Sequence, residues 1–351
     1  MIKKGLLAIG LLASFNVQAQ DINPYTPGAL EEGVVYYLPK TQLEVKVTVT
    51  QVNYTPGKLC QHANRYLKLQ NIAVNASEHW EIKSFQVTPI GIPDAEKAYS
   101  IKLKDKVSTS QVQLTKDGII KAINTPTIPE EDTFVEEPQE EKTQRVDPSK
   151  YMTEEMLMAG STSKMAELTA KEIYNIRESK NSLTRGQADY MPQDGAALQI
   201  MLTNLETQEK ALTELFSGYT ETSEHTYTFY IEPEKKNCEF LIFRFSKKLG
   251  VLDSDNLAGD PIILSIFNES TLPPAAEETT SKKVIDGVIY NIPGKGKVTI
   301  KDMKKKYHES RVPITQFGET EVLAGGLFSK KINTRVIFNP VTGGISKIDK
   351  D

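Results

Sequence analysis

The sequence predicts an α+β fold: two mainly antiparallel β-regions separated by an acidic linker and a helical hairpin. Three observations carry this expectation. Residues 43–50 alternate Leu43, Val45, Val47 and Val49 with Glu44, Lys46, Thr48 and Thr50, the period-two pattern of a strand with one packed and one wetted face. Residues 153–183 and 195–217 space their apolar positions along one helical face instead. Beyond Thr220 the alternation returns, in Tyr227, Phe229 and Ile231 and then in the apolar run 238–245.

Within the first β-region, residues 20–124, strand pattern covers 34–54 and the Thr55-Pro56-Gly57 turn follows. Residues 59–67 predict a short helix with Leu59, Ala63, Tyr66 and Leu67 inward. Trp80, Ile82, Phe85 and Val87 mark a further strand, residues 101–103 another, and residues 112–123 a hairpin turning at Lys116-Asp117-Gly118. Residues 125–150 hold Pro126, Pro129, Pro138 and Pro148 among Glu130, Glu131, Asp132, Glu136, Glu137, Glu140 and Glu141. Proline and like charge oppose compaction, so this stretch reads as an exposed linker.

The helical region, 151–219, places Met156, Ala166, Ala170, Ile173 and Ile176 on one helix and Leu198, Met201, Leu205, Leu212 and Leu215 on the next. Glu206, Glu209, Lys210 and Glu214 are expected outward. In the last region, 220–351, strands are expected at 262–267, 284–292, 298–300 and 334–338, with a terminal hairpin through Asn339-Pro340-Val341-Thr342-Gly343-Gly344. Its ending, Gly343-Gly344-Ile345-Ser346-Lys347-Ile348, echoes Gly118-Ile119-Ile120-Lys121-Ala122-Ile123, as two related β-units would.

Lys3 and Lys4, the apolar run 5–15 and then Val17-Gln18-Ala19 have the order of a cleavable secretory leader, residues 1–19. The run is shorter than the roughly 20 residues that span a bilayer. No Cys follows the small residues, so the expected product is free in the periplasm or secreted, with no transmembrane segment in the mature chain. With 42 basic and 46 acidic residues the charge is −4, and loss of Lys3 and Lys4 makes it −6. Such a surface does not favour nucleic acid. Export would also let Cys60 and Cys238, the two thiols, pair; buried free thiols are the alternative.

Three motifs carry a resemblance: Tyr36-Tyr37-Leu38-Pro39-Lys40-Thr41; Tyr54-Thr55-Pro56-Gly57 with Arg65-Tyr66-Leu67; and Ala188-Asp189-Tyr190-Met191-Pro192-Gln193-Asp194-Gly195. Together they resemble an uncharacterised domain-of-unknown-function family of exported proteins, typical of Bacteroidota, across most of the mature chain. The resemblance implies export and carries no activity, ligand or site residue.

Candidate chemistry is sparse. Ser161-Thr162-Ser163-Lys164 and Ser254-Asp255-Asn256 are two elements of the penicillin-recognising serine enzymes, but the third, Lys-Thr-Gly, is missing. Asp253, Asp255 and Asp260 cluster oxygen ligands in a Gly-containing loop, as calcium requires, without the terminal bidentate Glu; the acidic linker offers a second such cluster. His62, His79, His225 and His308 stand apart in sequence, and no His-Glu-x-x-His occurs. Lys295, Lys297, Lys301, Lys304, Lys305 and Lys306 lack a phosphate-loop pattern and read as a solvated face. No cofactor is implied. Tyr190 and Met191, at the tip of the helical hairpin, are the candidate contacts for a partner, an envelope protein or glycan. The alternative reading is a periplasmic hydrolase with dispersed catalytic residues.

Overall fold

A computed structural model describes residues 21–24, 33–101, 112–126, 145–192, 194–270, 285–328 and 334–350. The expected leader and the acidic residues of the linker lie outside these. The frame is a long hairpin of β2 (Val34–Thr55) and β3 (Ser77–Ile101). Along β2 the expected alternation holds, with Leu43, Val45, Val47 and Val49 fully buried. The hairpin bends at Pro39: Tyr37 pairs with Ala98 but Pro39 with Pro93, so residues 94–97 of β3 bulge out. One strand therefore feeds two cores, Tyr36 and Leu38 entering one and Leu43 to Val49 the other.

The same plan occurs again in β10 (Ile285–Lys301) and β11 (Lys306–Ala324). Ile292 pairs with Glu319 and Gly294 with Ile314, so residues 315–318 bulge opposite Pro293. The bends fall on matching sequence, Gly33-Val34-Val35-Tyr36-Tyr37-Leu38-Pro39 and Gly287-Val288-Ile289-Tyr290-Asn291-Ile292-Pro293. Each long hairpin is followed by a short one, β4 (Val112–Leu114) with β5 (Ile120–Ile123) and β12 (Thr334–Phe338) with β13 (Ile345–Lys350).

The two β-regions do not stand apart as N- and C-terminal β-domains, as the boundaries 20–124 and 220–351 would have them. Strands β6 (Tyr219–Ile231), β7 (Cys238–Ser246), β8 (Gly250–Leu252) and β9 (Asp260–Asn268) join the long hairpins in one nine-stranded assembly. Its order is β6-β2-β3-β1-β10-β9-β7-β8, with β11 on β10 and β1 (Asp21–Pro24) bridging the two hairpins. A four-stranded sheet, β13-β12-β5-β4, also mixes both regions. Phe229 of β6 stacks on Phe243 of β7 at 5.2 Å inside the larger core, beside Ile262, Leu264, Val298 and Ile314.

Several local expectations change. Residues 77–101 and 285–301 each form one strand where two were expected, because bulges let a strand bend without ending. β11 has no counterpart in the sequence reading: Pro313 and the charges of 304–311 hide it, and Pro is tolerated there because β11 pairs on one side, with β10. Helix 153–183 divides into α2 (Glu154–Leu157) and α3 (Thr162–Thr184), since Ser161 caps the second helix after Gly160. α1 (Ala63–Leu67) and α4 (Gly195–Ser217) lie where the pattern put them.

Between the two halves runs a buried polar seam. β6 reaches only to Leu43, and among the described residues no strand flanks the earlier part of β2 on that side. Its backbone groups find other partners. Tyr37 N donates to Gly118 O at 2.9 Å. Thr41 N donates to Thr315 Oγ1 at 2.8 Å, Thr315 N donates to Thr41 Oγ1 at 2.9 Å, and Gln316 Nε2 donates to Thr41 O at 2.7 Å. Asn291 Nδ2 donates to Pro39 O at 2.9 Å and Thr342 O at 3.1 Å. Tyr36 Oη accepts from Ile289 N at 3.1 Å and donates to Ile289 O at 3.2 Å, as a strand neighbour would. Burial raises the Tyr36 phenol well above its ordinary pKa, so it stays a neutral donor. Tyr36→Phe leaves both Ile289 groups buried and unpaired, so urea unfolding should report a loss of about 1–3 kcal/mol with an unchanged m-value. A loss below a few tenths would contradict the role given to this hydroxyl.

Candidate partner-binding site

The site is built from the helical arm. At its base the turn after β2 brings Leu59, Ala63 and Leu67 against Ala166, Ala170 and Ile173 of α3 and Leu212 and Phe216 of α4. Leu59 N donates to Leu215 O at 2.7 Å, and a Cβ at Gly57 would strike that carbonyl, so only glycine lets the helix end approach the turn. Asp147 caps the short 3₁₀ turn Pro148–Tyr151, whose Tyr151 packs beside this core. The base is thus fixed to the β-frame by short-range packing.

From there α3 and α4, each 23 residues, run outward and back, about 35 Å apiece. Ser161 Oγ accepts from Lys164 N at 3.2 Å, and Asp194 Oδ1 accepts from Ala197 N at 2.7 Å, capping the two helices. At the far end of α3, Gly186 adopts φ +67° while Gln187 N donates to Ser182 O at 2.8 Å, which closes the helix and turns the chain. Tyr190 and Met191 follow, 73% and 37% exposed. They occupy the tip, where the hairpin reading put them.

A shallow groove of about 460 Å³ runs between the helices. Arg177 Nε is 2.6 Å from Glu209 Oε1 and Lys180 Nζ is 3.1 Å from Glu209 Oε2. Farther down, Arg145 Nε is 3.0 Å from Glu214 Oε2 and its guanidinium lies 3.4 Å from the centre of the Tyr219 ring, a cation–π contact at the junction with β6. Glu209 and Glu214, expected outward, have side chains only 19% and 15% exposed. Sequence missed this arrangement, although Arg177 and Lys180 sit three apart on one helical face and signal a basic stripe facing acidic α4. Burial pushes the Glu209 carboxyl up, but the hydrogen bonds from Arg177 and Lys180 outweigh it and hold the carboxyl below its ordinary value. A carboxylate kept ionised in this way is a strut for the hairpin and a poor proton donor.

The other sequence candidates fall on different elements. Asp253 and Asp255 lie in the loop after β8, and Asp260 opens β9. Arg244 donates into that loop, Nε to Ser254 O at 2.8 Å and Nη1 to Gly259 O at 3.1 Å, so a guanidinium holds two of its carbonyls. Asp260 is 3.6 Å from Lys304. Among the described residues no three His, Cys, Asp or Glu converge as a metal set would. Ser161 caps α3 and Lys164 pairs with Glu167, whereas Ser254 sits in the β8–β9 loop. Cys60 and Cys238 are separate thiols, one at the base of the arm and one packed against the larger core. Cys60 opens the 3₁₀ turn Cys60–His62 and Cys238 opens β7, and both are free thiols in this structure. The histidines have local neighbours, His79 with Glu81, His225 with Ser223 and Trp80, His308 with Ser310, and His62 beside the Tyr66 ring. Lys297 and Lys306 pair with Glu309, and Lys301 with Glu239, as a solvated face would.

Residues 32–346 match the family model described as a domain of unknown function, DUF4831. The chain belongs to this family. No curated protein and no solved structure gives a significant match. In this DUF4831 member, no helix among the described residues is long and apolar enough to cross a membrane.

The strut makes a pH prediction. Because the Glu209 pKa is depressed on folding, its stabilisation is present above the unfolded value, about 4.3, and is lost as pH falls through the lower folded value. Glu209→Gln should cost up to about 1 kcal/mol at neutral pH and flatten that part of the acid limb. Unfolding followed from pH 7 to pH 3 checks this; an unchanged acid limb would contradict it.

Proposed function

We propose that this DUF4831 protein is an exported, non-enzymatic binding module of the cell envelope that engages a partner protein through the tip of its helical arm. The observation carrying the reading is Tyr190, a large aromatic 73% exposed beside Met191 at the end of two capped helices. An aromatic and a thioether offer broad apolar contact at modest entropic cost, which suits a protein partner. The rooted base and the Glu209 strut hold that tip at a fixed reach from the β-frame, so little ordering cost falls on binding. The leader-like residues 1–19 support the envelope as the place where this happens.

A periplasmic hydrolase with dispersed catalytic residues is the second reading, and the groove between α3 and α4 is the observation in its favour. Its acidic and basic groups lie within hydrogen-bond reach, as catalytic groups do, but Glu209 is committed to Arg177 and Lys180.

Crosslinking in the native cell followed by mass spectrometry discriminates the two. A recurring protein partner with the unsubstituted chain, lost with Tyr190→Ser/Met191→Ser, is the expected result; recovery unchanged by the substitutions removes the tip from the account. The recovered chain should begin near Gln20, and an intact mass retaining residues 1–19 would end the export reading.

A further inference from the structure

The first strand, β1, has four residues and a central place. In the nine-stranded assembly it lies between β3 and β10, so it is the strand that joins the first long hairpin to the second. It pairs antiparallel with both. Ile22, Asn23 and Pro24 lie opposite Ile101, Ser100 and Tyr99 on one side, and Asp21 and Ile22 lie opposite Asp286 and Ile285 on the other. The part of β3 that it flanks is deep in the molecule, with Ser100 and Ile101 2% and 1% exposed, and β2 holds the far side of that part through Val34. β1 thus completes a ladder at a buried place. It begins two residues beyond Ala19, where the leader-like sequence ends.

We propose that the slot between β3 and β10 is a binding site for the processed N-terminus of this chain, so that removal of residues 1–19 sets β1 in place and closes the β-frame. The proposal rests on the export reading of those residues. In the register of Asp21 on Asp286, each residue earlier in the chain would step one residue later along β10. Three steps before Asp21 that path meets Ile289, whose N and O are held by the Tyr36 hydroxyl at 3.1 and 3.2 Å. β11 fills the other side of β10, with Ala324 opposite Gly287 and Val322 opposite Ile289, so β1 and the Tyr36 hydroxyl share one side. Farther along, Asn291 N is taken as well, donating to Gly343 O at 3.1 Å. The slot therefore fits a strand that starts near Gln20. Two independent observations meet there: Val17-Gln18-Ala19 places the cut before Gln20, and Tyr36 ends the slot at the same point. An uncut chain has to leave the sheet at once towards a membrane-held leader, which works against seating β1. The cut chain is free of that pull. Meanwhile the Thr41–Thr315 contacts hold the halves together, so the unlatched form is a folded protein with one open ladder.

Hydrogen exchange read by mass spectrometry tests this on three purified chains: the mature chain from Gln20, the precursor with residues 1–19 held in detergent micelles, and the mature chain carrying Ile22→Pro. Proline removes a backbone donor from the middle of β1, which a strand flanked on both sides does not tolerate. Segments 99–101 and 285–286 should exchange about tenfold faster or more in the precursor and in Ile22→Pro than in the mature chain, while the segments around Val45 and Leu264 in the larger core exchange alike in all three. Equal exchange of 99–101 and 285–286 in precursor and mature chain overturns the coupling to leader removal. Equal exchange in Ile22→Pro and the mature chain overturns the closing role of β1. Both comparisons use chains of set length, so they stand apart from whether the cell removes the leader, which the intact mass decides.

Discussion

The structure depends on how β2 meets the second half of the chain between Tyr36 and Thr41. Over that stretch β2 has β3 on one side and, among the described residues, no regular strand on the other, with Tyr36, Leu38 and Thr41 fully buried. Side chains replace the missing ladder: the Tyr36 hydroxyl on Ile289, the Asn291 amide on Pro39, and the reciprocal pair Thr41 and Thr315 with Gln316 beside it. Because these partners lie on opposite sides of the seam, the backbone groups of Pro39 and Thr41 in the first half and of Ile289 and Thr315 in the second are satisfied only when the two halves are folded against each other. An unpaired buried amide or carbonyl costs more than the bond it would make contributes. The seam therefore links two apolar cores, one on each side of the Pro39 bend, into one body.

That body explains the arm. Interleaved sheets leave the helical segment inserted between β5 and β6 as an outgrowth, since both flanking strands are fixed in the frame. Its inner end is tied by Gly57, Leu59 and Phe216, and its length is kept by Arg177, Lys180 and Glu209, ion pairs sheltered enough to matter and exposed enough to respond to pH. Tyr190 and Met191 are then presented by geometry alone. Under the proposed function, rigid support beneath that tip would leave little ordering cost to binding.

Much of this was legible in the sequence where one residue's neighbours in the chain decide its environment. The alternation from Leu43 to Val49 and the faces of α3 and α4 were readable because each is a single amphipathic element. The tip was readable from Gly186, Pro192 and Asp194. What depends on distant partners was not. Nothing local says that β6 will pair with β2 or β12 with β5, so two β-regions looked like two domains. Thr41 looks like any polar strand residue, and Glu209 like any solvated glutamate, until Thr315 and Arg177 are brought beside them. Two of the three resemblance motifs now have structural reasons: Tyr36 to Thr41 forms the seam, and Tyr54 to Gly57 with Arg65-Tyr66-Leu67 forms the root of the arm.

The central claim is that the seam makes the two β-halves one cooperative unit. Native-state hydrogen exchange at the amides of Thr41, Ile289 and Thr315 tests it most directly, since all three donate to side chains across the seam. The account predicts that they exchange only through global unfolding, with one shared opening free energy and one denaturant dependence. Exchange of Ile289 and Thr315 through a cheaper opening that leaves Thr41 protected would show that the halves fold separately, and would contradict it.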